Sequence, residues 1–220
     1  MMKISNETIS VLRNFAGVNT NILIREGNVL STISSGKNIF ARATVAESFD
    51  REFAIYDLNS LLGLLTIYED TDVNFGPESL SVSKDHSVFE YYYADPAIIT
   101  SAPNKQIEVD DYYSFDLSEE SHNMIMKAVG ITGAPMLSVI GDGNTVTLTV
   151  GDPATPKSNS FKQVIGESDK TFSAHLAIEN FKVIPGNYHV VISEKKFMYL
   201  SNTNTDIKYW LALDKTSEIN

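Results

Sequence analysis

The chain has 220 residues, 43% of them hydrophobic, with 17 basic against 28 acidic side chains, a formal charge of -11 and no cysteine. Such a composition belongs to soluble globular proteins, and the missing cysteines exclude disulfides, thiolate zinc sites and cysteine nucleophiles together. The acidic excess is shared, 8 basic against 14 acidic residues in 1 to 108 and 9 against 14 in 109 to 220, so neither half is a module that grips nucleic acid by neutralising phosphates. The longest apolar run, Leu61 to Ile67, is far short of a membrane span, and the start MMKISNET lacks an apolar stretch of secretory length. A cytoplasmic protein with no membrane partner is the expectation.

Taken in chain order, Ser5 opens a predicted helix with Ile9, Leu12, Phe15 and Ala16 on one face and Arg13 on the other. The strand-like runs NILIR, NVLSTI and NIFARAT follow. FAIYDLNSLLGLL (53 to 65) begins as a strand and becomes a helix after Asp57, with Leu58, Leu61, Leu62 and Leu65 inward. SLSVS and VFEYYY are strands; the segment ADPAIITSAPNKQIEVDD (94 to 111), broken by two prolines, reads as an extended connector. Beyond it come YYSFDL, then a helix from Ser118 whose first-turn Glu119 and Glu120 complement the helix dipole and which buries Ile125 and Val129. TVTLTV and SFKQVI are strands, a fourth helix is predicted through IENFKVI up to Pro185 and Gly186, with Ala177, Phe181 and Ile184 inward, and YHVVIS, FMYL and KYWLAL are strands again.

This order is a repeat. Lys3 to Ser5 with its helix, NILIR and the Glu26-Gly27-Asn28 turn are echoed by Phe115 to Ser118 with its helix, MLSVI and the Asp142-Gly143-Asn144 turn. FAIYDLNSLLGLL is echoed by FSAHLAIENFKVI (172 to 184), and EYYYAD by YWLALD. The repeat implies two domains, 1 to 108 including the connector from about 94, and 109 to 220, each placing two helices on antiparallel sheet in an α+β fold.

Chemistry is scarce. His86, His122, His175 and His189 show no metal-ligand spacing, and DTDVNFGPE (70 to 78) departs from a calcium loop at Phe75 and Ser81, so it reads as a hairpin turn. Ser35-Gly36-Lys37 lacks the upstream glycine of a phosphate loop, and no nucleophile elbow occurs. No catalytic residue, metal or cofactor is expected, and the protein is read as a non-enzyme. The positive pattern is three cations, Arg13, Lys127 and Lys182, on the polar faces of predicted helices, with Arg13 and Lys127 at matching positions of the repeat.

The segments VLRNFAGVNTNI (11 to 22), FAIYDLNSLLGLL, ADPAIITSAPNK (94 to 105) and PGNYHVVIS (185 to 193) carry a resemblance. Through them the chain resembles the sliding clamps, or DNA polymerase processivity factors, of T-even-like tailed bacteriophages, nearly end to end; 112 to 175 is more diverged. The resemblance implies a DNA-clamp fold and a homotrimeric ring of six domains around duplex DNA. It implies a replicative polymerase tethered by its C-terminal peptide, loading by an ATP-dependent clamp loader, and a place in the cytoplasm of the infected bacterial host. A coactivator role with phage transcription factors is also implied. Arg13 falls on the basic position of the family's LLKNFA-like first helix, and Lys127 and Lys182 are carried to the DNA side by the repeat. The partner-peptide pocket is assigned to Ile98 and Ile99 of the connector, Pro185, Trp210 and Leu213. The alternative reading is a ring-forming virion structural or assembly protein.

Overall fold

The computed structural model describes residues 2–67, 72–84, 86–104, 107–155 and 157–219, divided into two compact units, Met1–Lys105 and Gln106–Asn220. Asp70 of the rejected calcium loop lies outside the described residues.

In the first unit, α1 (Asn6–Val18) starts where Ser5, in extended conformation, accepts a hydrogen bond from the Thr8 amide through its side chain. The buried stripe is Thr8, Leu12, Phe15 and Val18, while Ile9 and Ala16 are half-buried at its margin. β1 (Ile22–Ile24) pairs antiparallel with β4 (Phe53–Ile55), and β2 (Gly27–Ile33) forms a hairpin with β3 (Ile39–Phe49). α2 (Leu58–Ile67) follows β4 directly, because Asp57 turns the chain: its carboxylate accepts from the amides of Asn59 and Ser60 at 3.0 and 3.1 Å. Leu58, Leu61, Leu62, Leu64 and Leu65 are all buried. β5 (Val73–Phe75), β6 (Ser79–Lys84) and β7 (Ser87–Tyr92) make a second antiparallel sheet; of the segment 70 to 78 read as a hairpin turn, 73–75 is strand and the turn is 76–78, closed by the Gly76 amide on the Ser79 carbonyl at 2.8 Å. The start of the connector is fastened to its own unit. Asn21 accepts from the Thr100 amide at 3.1 Å, Arg25 donates to the Ala102 carbonyl at 2.8 Å, and Ala102 is buried.

Strand β3 alternates inward and outward from Ala43 to Phe49, and the alternation turns a carboxylate inward at Glu47. Buried Glu47 accepts from the Ser5 amide and from the Thr8 hydroxyl, two groups at the start of α1. One carboxylate therefore satisfies the otherwise orphan N-cap amide and a first-turn hydroxyl, and sits at the positive end of the helix dipole.

In the second unit, β8 (Tyr113–Leu117) leads into α3 (Glu119–Thr132), capped by Ser118 and ended by Gly133 in the left-handed region, where a residue without Cβ carries no penalty. β9 (Met136–Asp142), β10 (Thr145–Gly151), β11 (Phe161–Glu167) and β12 (Thr171–Ala177) form an antiparallel sheet in the order β11-β10-β9-β12. β13 (Tyr188–Ser193), β14 (Phe197–Asn202) and β15 (Ile207–Ala212) run with β8 in the order β15-β14-β13-β8. Ile125 of α3 is buried together with Leu137, Val139, Leu148 and Val150. Val129, expected inside, is half-buried, and the inward positions are His122, Ile125 and Ala128. Burial pushes the pKa of His122 below the ordinary histidine value, against the raising influence of Glu119.

The expected fourth helix does not form, so the second unit has one α-helix among the described residues where two were predicted. Only a single 3-10 turn, Ile178–Asn180, follows β12. The residue matching the capping Asp57 is Leu176, which offers no acceptor, and no side chain caps the turn. Downstream, two buried tyrosines hold the backbone open: Tyr209 accepts from the Ile184 amide at 3.3 Å, and Tyr188 donates to the Ile184 carbonyl at 2.6 Å. Phe181 still enters the core, against His122 at 5.1 Å between ring centroids. The fold is α+β with three α-helices among the described residues.

Burial pushes the Glu47 carboxyl up, but hydrogen bonds from the Thr8 hydroxyl and the Ser5 amide outweigh it and leave the pKa below the ordinary 4.5. The stability it contributes is therefore present above that value and lost as pH falls through its lowered folded pKa. Replacing Glu47 by Gln is expected to cost about 1–3 kcal/mol at pH 7 and to flatten the loss of stability below about pH 4.5. Urea titrations of both proteins at pH 7 and pH 3 check this; an unchanged pH dependence removes Glu47 as the anchor.

Candidate nucleic-acid and partner surfaces

Arg13 is exposed on α1 and reaches across to α2, where its guanidinium donates to the Thr66 hydroxyl at 3.2 Å. Thr66 in turn donates to the Leu62 carbonyl at 2.9 Å. The outward positions of α2 are Asn59, Ser60, Gly63, Thr66 and Ile67, with no charge among them. Lys127 is exposed on α3. Lys182 is exposed too, but lies in the irregular segment after the 3-10 turn, so its expected place on a helix is corrected. Among the described residues, the helices carry Arg13 and Lys127 against Glu7, Glu119 and Glu120.

The register of the two cations also differs from the sequence expectation. Counted from the N-caps Ser5 and Ser118, buried Leu12 corresponds to Ile125 and buried Phe15 to Ala128. On that count Arg13 corresponds to Met126, and Lys127 lies one residue further on, a rotation of about 100° around the helix. The two match only when counted from the C-caps, because α3 has 14 residues and α1 has 13. Exposed Met124, Met126 and Ile131 share the outer side of α3 with Lys127. Sequence reading missed them, since a methionine on a helix is ordinarily assigned to the core.

The residues assigned to the peptide pocket fall in different units. Ile98, 62% exposed, ends a 3-10 turn, Pro96–Ile98, whose N-cap Asp95 accepts from the Ala97 amide; Ile99 is half-buried. In the second unit Pro185 is exposed beside Gly186, where a Cβ would stand 2.7 Å from the Asn202 side chain. Trp210 lies on the face of β15 opposite buried Tyr209 and Leu211, in register with Tyr199 of β14, the two rings 5.1 Å apart. Leu213 is half-buried just beyond β15, its amide donating to the Lys196 carbonyl at 3.0 Å. Tyr199 is the partner that sequence reading missed; cross-strand register alone could have named it.

Two sheet margins carry exposed apolar side chains. β7 is the last strand of β5-β6-β7 and exposes Val88, Phe89 and Tyr92, while β11 is the last strand of β11-β10-β9-β12 and exposes Val164. No group of three or more His, Cys, Asp or Glu among the described residues is placed to hold a metal ion.

Residues 5–98 match the model of the DNA polymerase processivity factor family. The sliding clamp of Vibrio phage KVP40 is 29% identical over 224 residues, spanning 97% of this chain and 99% of its own. That of Enterobacteria phage T4 is 28% identical over 207 residues, 88% of each chain. In fold, the chain is similar to A. fulgidus PCNA bound to the C-terminal region of FEN-1, with a TM-score of 0.68 at 12% identity over 96% of each chain.

Gly63 faces outward on α2, and a Cβ there would meet nothing within 4 Å. Gly63→Ala is expected to raise stability by about 1 kcal/mol, read as a higher urea midpoint at unchanged slope. A fall in midpoint would mean that the local backbone needs glycine.

Proposed function

The chain resembles the sliding clamps of T4-like phages from end to end, and from that resemblance we propose that it is a DNA clamp, a ring around the duplex that tethers a DNA polymerase. The observation that carries this reading is the KVP40 match, which spans nearly the whole of both chains. The physical character of the helices agrees with it. A ring holds DNA by topology, so a chain of charge -11 needs no strong adhesion, and helices with two cations and three carboxylates suit sliding better than gripping.

Three copies, each with two units, supply the six domains of the ring. The exposed margins support head-to-tail closure: β7 of one copy adds to β11 of the next, covering unpaired ladder groups together with Val88, Phe89, Tyr92 and Val164. Arg13, Lys127 and Lys182 face the DNA. The polymerase C-terminal peptide is held by Ile98, Ile99, Pro185, Trp210 and Leu213, an exposed isoleucine and an indole set against a tyrosine ring being the kind of apolar anchor that dominates such contacts. Tethering keeps the polymerase at high local concentration near the primer end after each release. The protein is not an enzyme; an ATP-driven loader opens the ring, phage transcription factors use the same clamp, and all of this takes place in the cytoplasm of the infected bacterium.

Light scattering over a wide concentration range is expected to show three chains that dissociate on dilution, and a monomer at high concentration would overturn the ring. Leu213→Glu is expected to abolish polymerase stimulation with the trimer intact; full stimulation would remove Leu213 from the pocket. Replacing Arg13, Lys127 and Lys182 together by Gln is expected to slow loading on circular DNA without weakening the trimer, and normal loading would sink their assignment.

A further inference from the structure

The face of the second unit's sheet turned away from its core carries a row of polar side chains that runs in register across all four strands. Lys162 of β11 is opposite Thr149 of β10, Thr149 opposite Ser138 of β9, and Ser138 opposite His175 of β12. At the usual spacing of strands the row is roughly 14 Å long. The alternate positions Leu148 and Val150 of β10, and Leu137 and Val139 of β9, face the core. The chain leaving β10 borders the middle of the row with Asp152, Ser158 and Ser160, enclosing a recess of about 240 Å³.

The end of this row is built rather than incidental. Ser138 is 2% exposed and His175 8%, and their side chains share a hydrogen bond of 2.8 Å between Oγ and Nδ1. The strand beneath is fixed too: the His175 amide donates to the Ser217 hydroxyl at 2.9 Å, and the Asp214 amide to the His175 carbonyl at 2.7 Å. Removing two polar groups from water on a face whose neighbouring row exposes Val164 and Ile140 carries a cost. The peptide pocket and the helix surfaces use none of these residues.

We propose that this recess binds an oxyanionic group, a carboxylate or a phosphate. Lys162 supplies a cation at one end, the hydroxyls of Thr149, Ser158 and Ser160 supply rotatable donors along it, and the ring of His175 closes the other end. The rim carboxylate, Asp152, is turned to its own loop, accepting from the Ala154 amide at 2.9 Å. The volume admits one such group on a short stem and excludes a duplex. Two sources share this chemistry, an acidic side chain of a partner peptide and a phosphate ester.

The test is a titration of the full chain at pH 7 and constant ionic strength, with sodium acetate and inorganic phosphate as separate probes, following the His175 ring protons by NMR. Saturable shifts are expected with at least one probe, weakened tenfold or more by Lys162→Gln and also weakened by Ser160→Ala. Lys84→Gln in the first unit is expected to leave them unchanged. Saturation by acetate alone identifies a peptide carboxylate, and saturation by phosphate alone a phosphate ester. Linear, unsaturated shifts with both probes, or equal binding by Lys162→Gln, would overturn the site.

Discussion

The arrangement of the first unit depends on one inward carboxylate. Glu47 occupies a core-facing position of β3 and is tolerated there because the start of α1 brings it an amide and a hydroxyl. A helix end needs acceptors and a buried carboxylate needs donors, so each makes the other affordable. Once α1 is seated, Phe15 and Leu12 enter the core, and Arg13 is carried onto the outer side against Thr66 of α2. The second unit solves the same problem with a neutral group. There the Asn187 side chain accepts from the Glu119 amide at 2.9 Å, beside the Ser118 cap. In both units the helix that follows the first repeat serine is fixed by an acceptor distant in the chain.

Much of this was legible because the deciding interactions are local. Ser5, Asp57 and Ser118 each cap a helix a few residues on, and the leucines after Asp57 have a period that only a helix satisfies. Glu47 was not legible: its partners are 42 and 39 residues away, and a lone Glu in an alternating strand reads as an outward residue. The fourth helix misled for a related reason. Its apolar spacing copied α2, but Leu176 stands where Asp57 caps, and the buried hydroxyls of Tyr188 and Tyr209 claim the Ile184 backbone that a helix would have used. Periodicity reports which side chains go inside; it does not report which partners compete for the backbone.

The candidate surfaces divide the same way. The chemical character of Arg13, Lys127 and Lys182 could be read from residue type, but their direction could not. One extra residue in α3 rotates Lys127 away from the place that Arg13 holds relative to the core, and the lost helix takes Lys182 off regular structure. The contact of Trp210 with Tyr199 and the polar row from Lys162 to His175 are products of strand register, which no single segment encodes.

The missing cap at Leu176 has a consequence for symmetry. With two helices in each unit, the repeat would extend from the strands to the helical layer. Because α3 is the one α-helix of the second unit among the described residues, the two units share strands and a first helix but not a second. If three copies close the proposed ring, the alternation of these units gives it threefold rather than sixfold periodicity, and a duplex inside would meet three equivalent stations instead of six.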